Sequence, residues 1–440
     1  MNIKNFLKLA KQEGIDPIEI SVYKSKEIDL GVYQGELESH QISESNSIVA
    51  RGFFNGKLGA ASTNSLTNEG LQFLLHQIRA NALINQAPID GEIFKGSEKY
   101  AKGSVFNPVL EKTEVNSMIH LIKRIESRLY EIDPRLSDVE VGYGQSQTEK
   151  VFENSYGLKL KEKRNYYVLW ASVKATDGES VKTGNDVLYG NSLEGLDVEA
   201  FCQKTAKDAL SKLHGVSPWK QKKTYAVLSP KVASTFLTAF LNSLSADLVQ
   251  RRSSLLIGKL NEQVISKKLT IEERPHEKNI FFSRCDDEGV ATNRKKLFDR
   301  GVLKTYIYNL ETAKKGNTTS TGNGYRSGTA IGTDLAHVVV RPGKISEEQL
   351  LAINTKEGVY VSEIKGLHAG LDPMSGNFSL EAEGFQIVDG KIGKPLGTIT
   401  VAGNLIKMFM DVIALADNTY EKLRQIASPS LKIKSLSFSA

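Results

Sequence analysis

EISVYKSKEIDLGVYQGELESHQISESNSIVARGFFNGKLGAA, residues 19–61, is the stretch whose reading decides the fold. Apolar and polar residues alternate along much of it, and the alternation is interrupted at two dipeptides, Gln34-Gly35 and Asn55-Gly56. Asn-Gly suits a tight hairpin because both central residues tolerate positive φ, so the stretch is expected to form a strand meander. Upstream, Ile3 to Glu13 reads as a helix. Downstream, Thr67 to Leu83 and Val115 to Tyr130 read as helices, and in the second Val115, Met118, Ile122, Ile125 and Leu129 recur at helical spacing, which gives it one inward face.

A second run of strands is expected over Ser137 to Lys182, where Leu158, Leu160, Tyr166, Val168, Trp170 and Ser172 alternate with polar neighbours and Asp177-Gly178 supplies a turn. The helix that follows, Val198 to Leu213, carries Phe201, Cys202, Thr205, Ala209 and Leu210 on one side, so Cys202 reads as a core thiol. The basic linker His214 to Lys223, with Pro218, is the expected boundary between two domains, 1–218 and 219–440. Beyond it a strand over Thr224 to Ser229 leads into a helix opened by Ser229-Pro230, with Phe236, Phe240, Leu244 and Leu248 in a stripe four residues apart. The remainder reads as strand and loop, including a hairpin at Phe385 to Ile392 that turns on Asp389-Gly390.

Composition narrows the function. A chain of 440 residues exceeds what one core usually organises, and 40% hydrophobic with 25% charged residues is ordinary globular usage. The longest apolar candidate, Val232 to Ala246, is short and interrupted by Ser, Thr and Asn, so no membrane span is expected. The opening MNIKNFLKLAKQEG lacks the apolar core of a secretory signal, and two cysteines, Cys202 and Cys285, make no disulfide framework; a cytoplasmic location is expected. The 57 basic and 51 acidic residues leave +6, with no Lys/Arg stripe interleaved with aromatics, so nucleic acid is not an expected ligand.

Chemistry-bearing motifs are sparse. There is no Gly-x-Gly-x-x-Gly after a strand, no phosphate-cradling loop and no Gly-x-Ser-x-Gly elbow. The seven histidines are scattered, none within helical reach of another. Glu272, Glu273, His276 and Glu277, followed by Cys285, Asp286, Asp287 and Glu288, would form a cation site if Ile280 to Phe282 folded them together as a hairpin, and an independent hydrolase would need His276, Asp286 and Asp287 to converge. Two loops rich in glycine and small polar residues, TTSTGNGY (Thr318 to Tyr325) and DPMSGNFSLEAE (Asp372 to Glu383), suit either plain strand turns or contact with an extended peptide.

Taken in order, CDDEG (Cys285 to Gly289), GVLKTYIYN (Gly301 to Asn309), STGNGYR (Ser320 to Arg326), MSGNFS (Met374 to Ser379), EGFQIVDGKIGKPLGTITVAGNL (Glu383 to Leu405) and the closing SPSLKIKSLSFSA resemble the TldD/PmbA family. YQGELES (Tyr33 to Ser39) is similar to that family's opening. The resemblance implies an α+β protein of two domains that assembles as a dimer: an N-terminal α/β domain with a mostly antiparallel sheet and flanking helices, and a C-terminal antiparallel β-rich domain. It implies a zinc metallopeptidase system in which the TldD type carries His-Glu-x-x-x-His on a helix and the PmbA type, also called TldE, lacks it. Some members carry an older label, modulator of DNA gyrase.

The place matching that motif holds Thr238, Ala239, Phe240, Leu241, Asn242 and Ser243, and no cysteine follows Cys285 to match the peptidase type's C-terminal ligand. Zinc needs imidazole, thiolate or carboxylate donors, which Thr238, Ala239 and Ser243 do not supply. The resemblance therefore falls on the PmbA side. It implies no catalytic residues, metal or cofactor in this chain, and as dimer partner either a TldD-like relative that holds the zinc or a second copy of this chain. The stripe Phe236, Phe240 and Leu244 is expected to fill the place where a metal pocket would open. The implied work is to complete a peptidase and hold unfolded peptide, with Thr321, Gly322, Asn323, Gly324, Arg326, Ser375, Gly376 and Asn377 as candidates for peptide contact or the dimer seam. The alternative is a regulator of DNA gyrase, or of its inhibitor, without proteolysis.

Overall fold

A computed structural model describes residues 2–85, 91–353, 356–419 and 425–439. Helix α1 (Ile3–Gln12) leads into strands β1 (Ile15–Tyr33), β2 (Glu36–Phe54) and β3 (Lys57–Thr63). Helices α2 (Asn68–Ile84), α3 (Pro108–Glu111) and α4 (Val115–Ile132) precede strands β4 (Leu136–Asn154), β5 (Lys159–Asp177) and β6 (Ser180–Gly190), and α5 (Val198–Leu210) follows. The six strands form one antiparallel sheet in the order β3-β2-β1-β4-β5-β6. Its turns follow from residues that tolerate positive φ: Gln34 and Gly35 at 52° and 77°, Asn55 and Gly56 at 50° and 75°. Four of the strands run for 19 residues each, so the sheet is long enough to reach past its own helices.

Helices cover one face of this sheet in two places. Leu71, Leu74, Leu75 and Ile78 of α2 pack with Phe6, Ile18, Ile20 and Ile48, while Met118, Ile122, Ile125 and Leu129 of α4 pack with Val141, Leu169 and Phe201. Thr67 caps α2 by accepting from Gly70 N, and Asp197 caps α5 by accepting from Ala200 N. The α4 carboxylate Glu126, 2% exposed, accepts the Gly35 N–H through both oxygens at 3.1 Å and so fixes the first hairpin turn. Cys202 lies in this core, and burial pushes its thiol up to about 11.

From Gln221 the chain builds a larger core. Strand β7 (Gln221–Leu228) runs into α6 (Pro230–Leu241), a 3₁₀ turn over 242–244 and α7 (Ala246–Gln250). Short strands β8 (Ile271–Glu273), β9 (Lys295–Asp299) and β10 (Val302–Leu303) follow, then α8 (Leu310–Lys315), the hairpin β11 (Gly324–Ser327) and β12 (Ala330–Thr333), and β13 (Val338–Val340). Then come α9 (Glu347–Ala352), β14 (Glu357–Lys365), α10 (Leu367–Gly370), β15 (Asn377–Val388), β16 (Lys391–Pro395), β17 (Ile399–Asn404), α11 (Leu405–Met410) and β18 (Val412–Leu415). β19 (Ile426–Ala427) and β20 (Leu431–Ser439) close the chain. One sheet has the order β10-β9-β8-β13-β19 and another β14-β7-β20-β17-β15-β16, with β18 added on β20. Most pairs here are antiparallel, but β14 with β7 and β13 with β19 are parallel. Helix α6 is buried against both sheets, in a core that holds Phe236, Phe240, Phe298, Phe378, Phe409 and Phe438.

Candidate functional site

The positions expected to correspond to the TldD-type motif, Thr238, Ala239 and Ser243, lie on α6 and the 3₁₀ turn that follows it. Ser229 accepts from Val232 N at 3.3 Å and Pro230 occupies the first turn, as its two residues dictate. Phe236 meets Phe378 at 4.9 Å between ring centroids, and Phe240 meets Phe409 at 5.0 Å and Phe298 at 5.7 Å. The aromatic stripe thus faces the interior and does not cover the motif positions. Thr238 lies about 200° around the helix from Phe236 and is exposed, its hydroxyl donating to Ser234 O at 2.9 Å. Ala239 is half-buried, and Ser243 is buried on the 3₁₀ turn. The stripe also ends earlier than its spacing suggests: Ser245 is non-helical and caps α7, so Leu248 belongs to a second helix.

Zinc does not fit these three positions. One hydroxyl is engaged by the helix backbone, one side chain is a methyl group, and a lone serine is a poor ligand. Among the described residues no group of three or more His, Cys, Asp or Glu could hold a metal ion.

The polar chemistry of the molecule gathers elsewhere, where the long strands β1, β2 and β4 meet the loop at 285–288 and strand β11. Arg51 of β2 donates to Glu19 at 2.5 Å and Glu288 at 3.1 Å, and all three side chains are at most 7% exposed. Arg326 reaches the same Glu19 oxygen at 3.3 Å. Lys150 of β4 pairs with Asp287, which also accepts from Tyr23 Oη at 3.2 Å and from Arg326 N at 2.9 Å. Asp286 accepts three backbone N–H groups, from Gly324 at 2.8 Å, Val290 at 2.9 Å and Glu288 at 3.0 Å. Gly324 is needed at this approach, because a Cβ there would run into the Glu288 carboxylate.

The electrostatics follow from burial against pairing. Burial, reinforced by Glu288, pushes Asp286 up to about 8 against its backbone donors. Burial also raises Glu288, opposed by Arg51. For Asp287 the burial penalty is outweighed by Lys150, and its carboxyl is held below the usual range. Burial pushes the Cys285 thiol up to about 12, which makes it an inert neutral group.

Beside this network lies a cleft of about 510 Å³ between the polar face of the long sheet and the C-terminal part, lined by Tyr23, Lys150, Tyr166, Asp287, Tyr325 and Arg326 among others. Of the candidates for peptide contact, Arg326 lines this cleft, while Gly322, Asn323 and Gly324 are buried behind it. Asn323 donates to Glu273 at 2.9 Å and to Asp334 O at 2.7 Å, and Thr321 donates to Asn323 at 2.7 Å and accepts from Tyr308 N at 2.8 Å. That burial counts against direct peptide contact by residues 322–324, which act as the cleft's support. Ser375 and Asn377 are exposed, but their loop, with Gly376 at φ +74°, is tied to Asn404 and contributes nothing to the cleft wall.

The acidic cluster is also redistributed. Residues 280–282 form a turn, not a hairpin. Glu272 is ringed by Arg274, Arg294 and Arg341, and against its burial Arg294 and Arg274 hold its carboxyl down to about 2. Glu273 pairs with Lys295 at 2.5 Å, and His276 bonds Thr292 at 3.1 Å. Each acid therefore has its own cation or backbone partner. Sequence reasoning missed Glu19, Arg51 and Lys150; they are far from Glu288 and Arg326 in the chain and carry no local signal.

The architecture is α+β: an antiparallel sheet under flanking helices in the N-terminal part and a β-rich C-terminal part. The chain belongs to the PmbA/TldD metallopeptidase family: models of the PmbA/TldA metallopeptidase domain 1, central domain and C-terminal domain match residues 18–82, 108–213 and 221–440. The metalloprotease PmbA homolog of Buchnera aphidicola subsp. Baizongia pistaciae is 30% identical over 330 residues, 74% of this chain and 70% of that one. A Thermotoga maritima protein described as a candidate modulator of a DNA gyrase superposes with a TM-score of 0.92 at 26% identity, over 99% of both chains. TldE from Thermococcus kodakarensis shares the fold, with a TM-score of 0.90 at 22% identity over 100% of both chains. Among the described residues no helix is long and apolar enough to cross a membrane.

Proposed function

We propose that this chain is the zinc-free, PmbA/TldE-like subunit of a TldD/PmbA-type peptidase. It acts in the cytoplasm with a relative that bears His-Glu-x-x-x-His, and it holds unfolded peptide without cutting it. The observation that carries the reading is the chemistry at 238, 239 and 243, where a hydroxyl bonded to its own helix, a methyl group and a buried serine replace two imidazoles and a carboxylate. With no ligand there, no activated water forms on α6, and this chain's contribution is positional. The cleft supports it: its volume lies within the range of ligand pockets, and its walls combine aromatic faces with fixed donors, which suit an extended backbone.

The test is metal content. Purified protein equilibrated with zinc and desalted should carry well below one zinc per chain, while an His-Glu-x-x-x-His relative treated in parallel retains it. Stoichiometric zinc on this chain would overturn the proposal.

A further inference from the structure

The side chain of Arg326 is 5% exposed, yet its Nε and Nη1 have no hydrogen-bond partner among the described residues. Its remaining contact is weak, because the Glu19 oxygen that it reaches at 3.3 Å already accepts from Arg51 at 2.5 Å. Among the described residues the other cations near the cleft are matched: Lys150 by Asp287, Arg51 by Glu19 and Glu288, Arg284 by Glu162 at 3.3 Å, and Arg164 by Phe282 O at 3.2 Å and Glu162 at 3.8 Å. A guanidinium sealed from water with donors unused is disfavoured unless an acceptor comes to it, and a carboxylate is the acceptor that best matches its charge and planarity. Arg326 is held in place by its own backbone, since Arg326 N donates to Asp287 and strand β11 is locked through Gly324 to Asp286. It also stands on the wall of the cleft beside Tyr23, Lys150 and Tyr325.

We propose that the cleft binds a carboxylate of its peptide ligand through Arg326, anchoring the chain by its C-terminal carboxyl group or by an acidic side chain. The inference rests on the peptide-holding reading above and deepens it. The carboxylate enters beside Lys150 and takes the unused donors of Arg326, and the tyrosine faces flank the residues that precede it.

The experiment measures binding of three fluorescently labelled, unstructured peptides of one sequence to the full chain: a free acid without Asp or Glu, its C-terminal amide, and the amide with one internal Glu. The free acid should bind at least about tenfold tighter than the amide, the worth of one charge-assisted hydrogen bond. Arg326→Gln should bind acid and amide alike, and Arg326→Lys, which keeps the charge toward Glu19, should retain part of the preference. Tight binding of the Glu-containing amide assigns the side-chain source; weak binding assigns the chain terminus. Equal binding of all three peptides to the unaltered protein overturns the carboxylate site and leaves the peptide-holding reading standing. If none binds, the peptide-holding reading fails, and succinate decides the site: a thermal shift lost in Arg326→Gln upholds it, and no shift overturns it.

Discussion

Replacing Arg51 by Ala tests whether the buried charge network joins the two halves of the molecule. Arg51 is the cation between Glu19 and Glu288, whose side chains are 1% and 2% exposed. Without it, among the described residues Glu288 keeps only the Leu310 N–H at 2.8 Å and Glu19 only the 3.3 Å contact with Arg326. Removing one partner of a buried pair typically costs about 3–5 kcal/mol, because a charge is left uncompensated. The expected loss at pH 7 is therefore ~4 kcal/mol, a large part of the roughly 5–15 kcal/mol that holds a typical domain folded. Urea unfolding followed by circular dichroism reads it.

The pH dependence of that loss has a definite sign. Burial already raises Glu288, and removing Arg51 raises it further. A raised acid favours the native state below its unfolded value and loses that advantage as pH rises, so the deficit of Arg51→Ala must shrink on acidification from pH 7 toward pH 5. A deficit below about 1 kcal/mol at pH 7, or one that grows on acidification, would refute the network as a structural joint.

Other substitutions probe separate parts of the account. Phe240→Ala should cost about 3–5 kcal/mol in the same unfolding assay, since Phe240 is fully buried between Phe298 and Phe409 and leaves a cavity; a loss below about 1 kcal/mol would mean that the stripe is not core. Asp286, raised to about 8 by burial, should make wild-type stability fall as pH rises from about 4 through 8, by an amount of the order of a few kcal/mol. Asp286→Asn should flatten that slope, and an unchanged slope would place the titration elsewhere. Thr238→His with Ala239→Glu and Ser243→His should fold but hold no stoichiometric zinc after gel filtration, because two histidines lack the third ligand of a catalytic site; tight zinc binding would show that the helix alone suffices.

The elements were legible where a local rule decides them. Asn55-Gly56 and Asp389-Gly390 turn because their residues accept positive φ, and α4 buries Met118, Ile122, Ile125 and Leu129 as its spacing requires. The outward position of Thr238 was also in the sequence, since a helix that buries residues 236, 237, 240 and 241 must expose 238. The stripe was read for its bulk and not for its direction.

The site was less legible because its parts are assembled by topology. Glu19 and Arg326 are 307 residues apart in the chain, and they meet only because the fold lays β1 beside strand β11. The motif STGNGYR was visible, but glycine and asparagine serve a buried support as readily as an exposed loop. Here Asn323 donates to two acceptors, Glu273 and Asp334 O, and Gly324 N donates to Asp286, so the motif packs as buried support.

The measurement that bears most directly on the central claim is cleavage of an unstructured peptide by this chain alone, by an His-Glu-x-x-x-His relative alone, and by the two co-expressed, each with and without a chelator. The account predicts no cleavage by this chain alone and chelator-sensitive cleavage by the pair. Cleavage by this chain alone would contradict it and would place an active site outside α6.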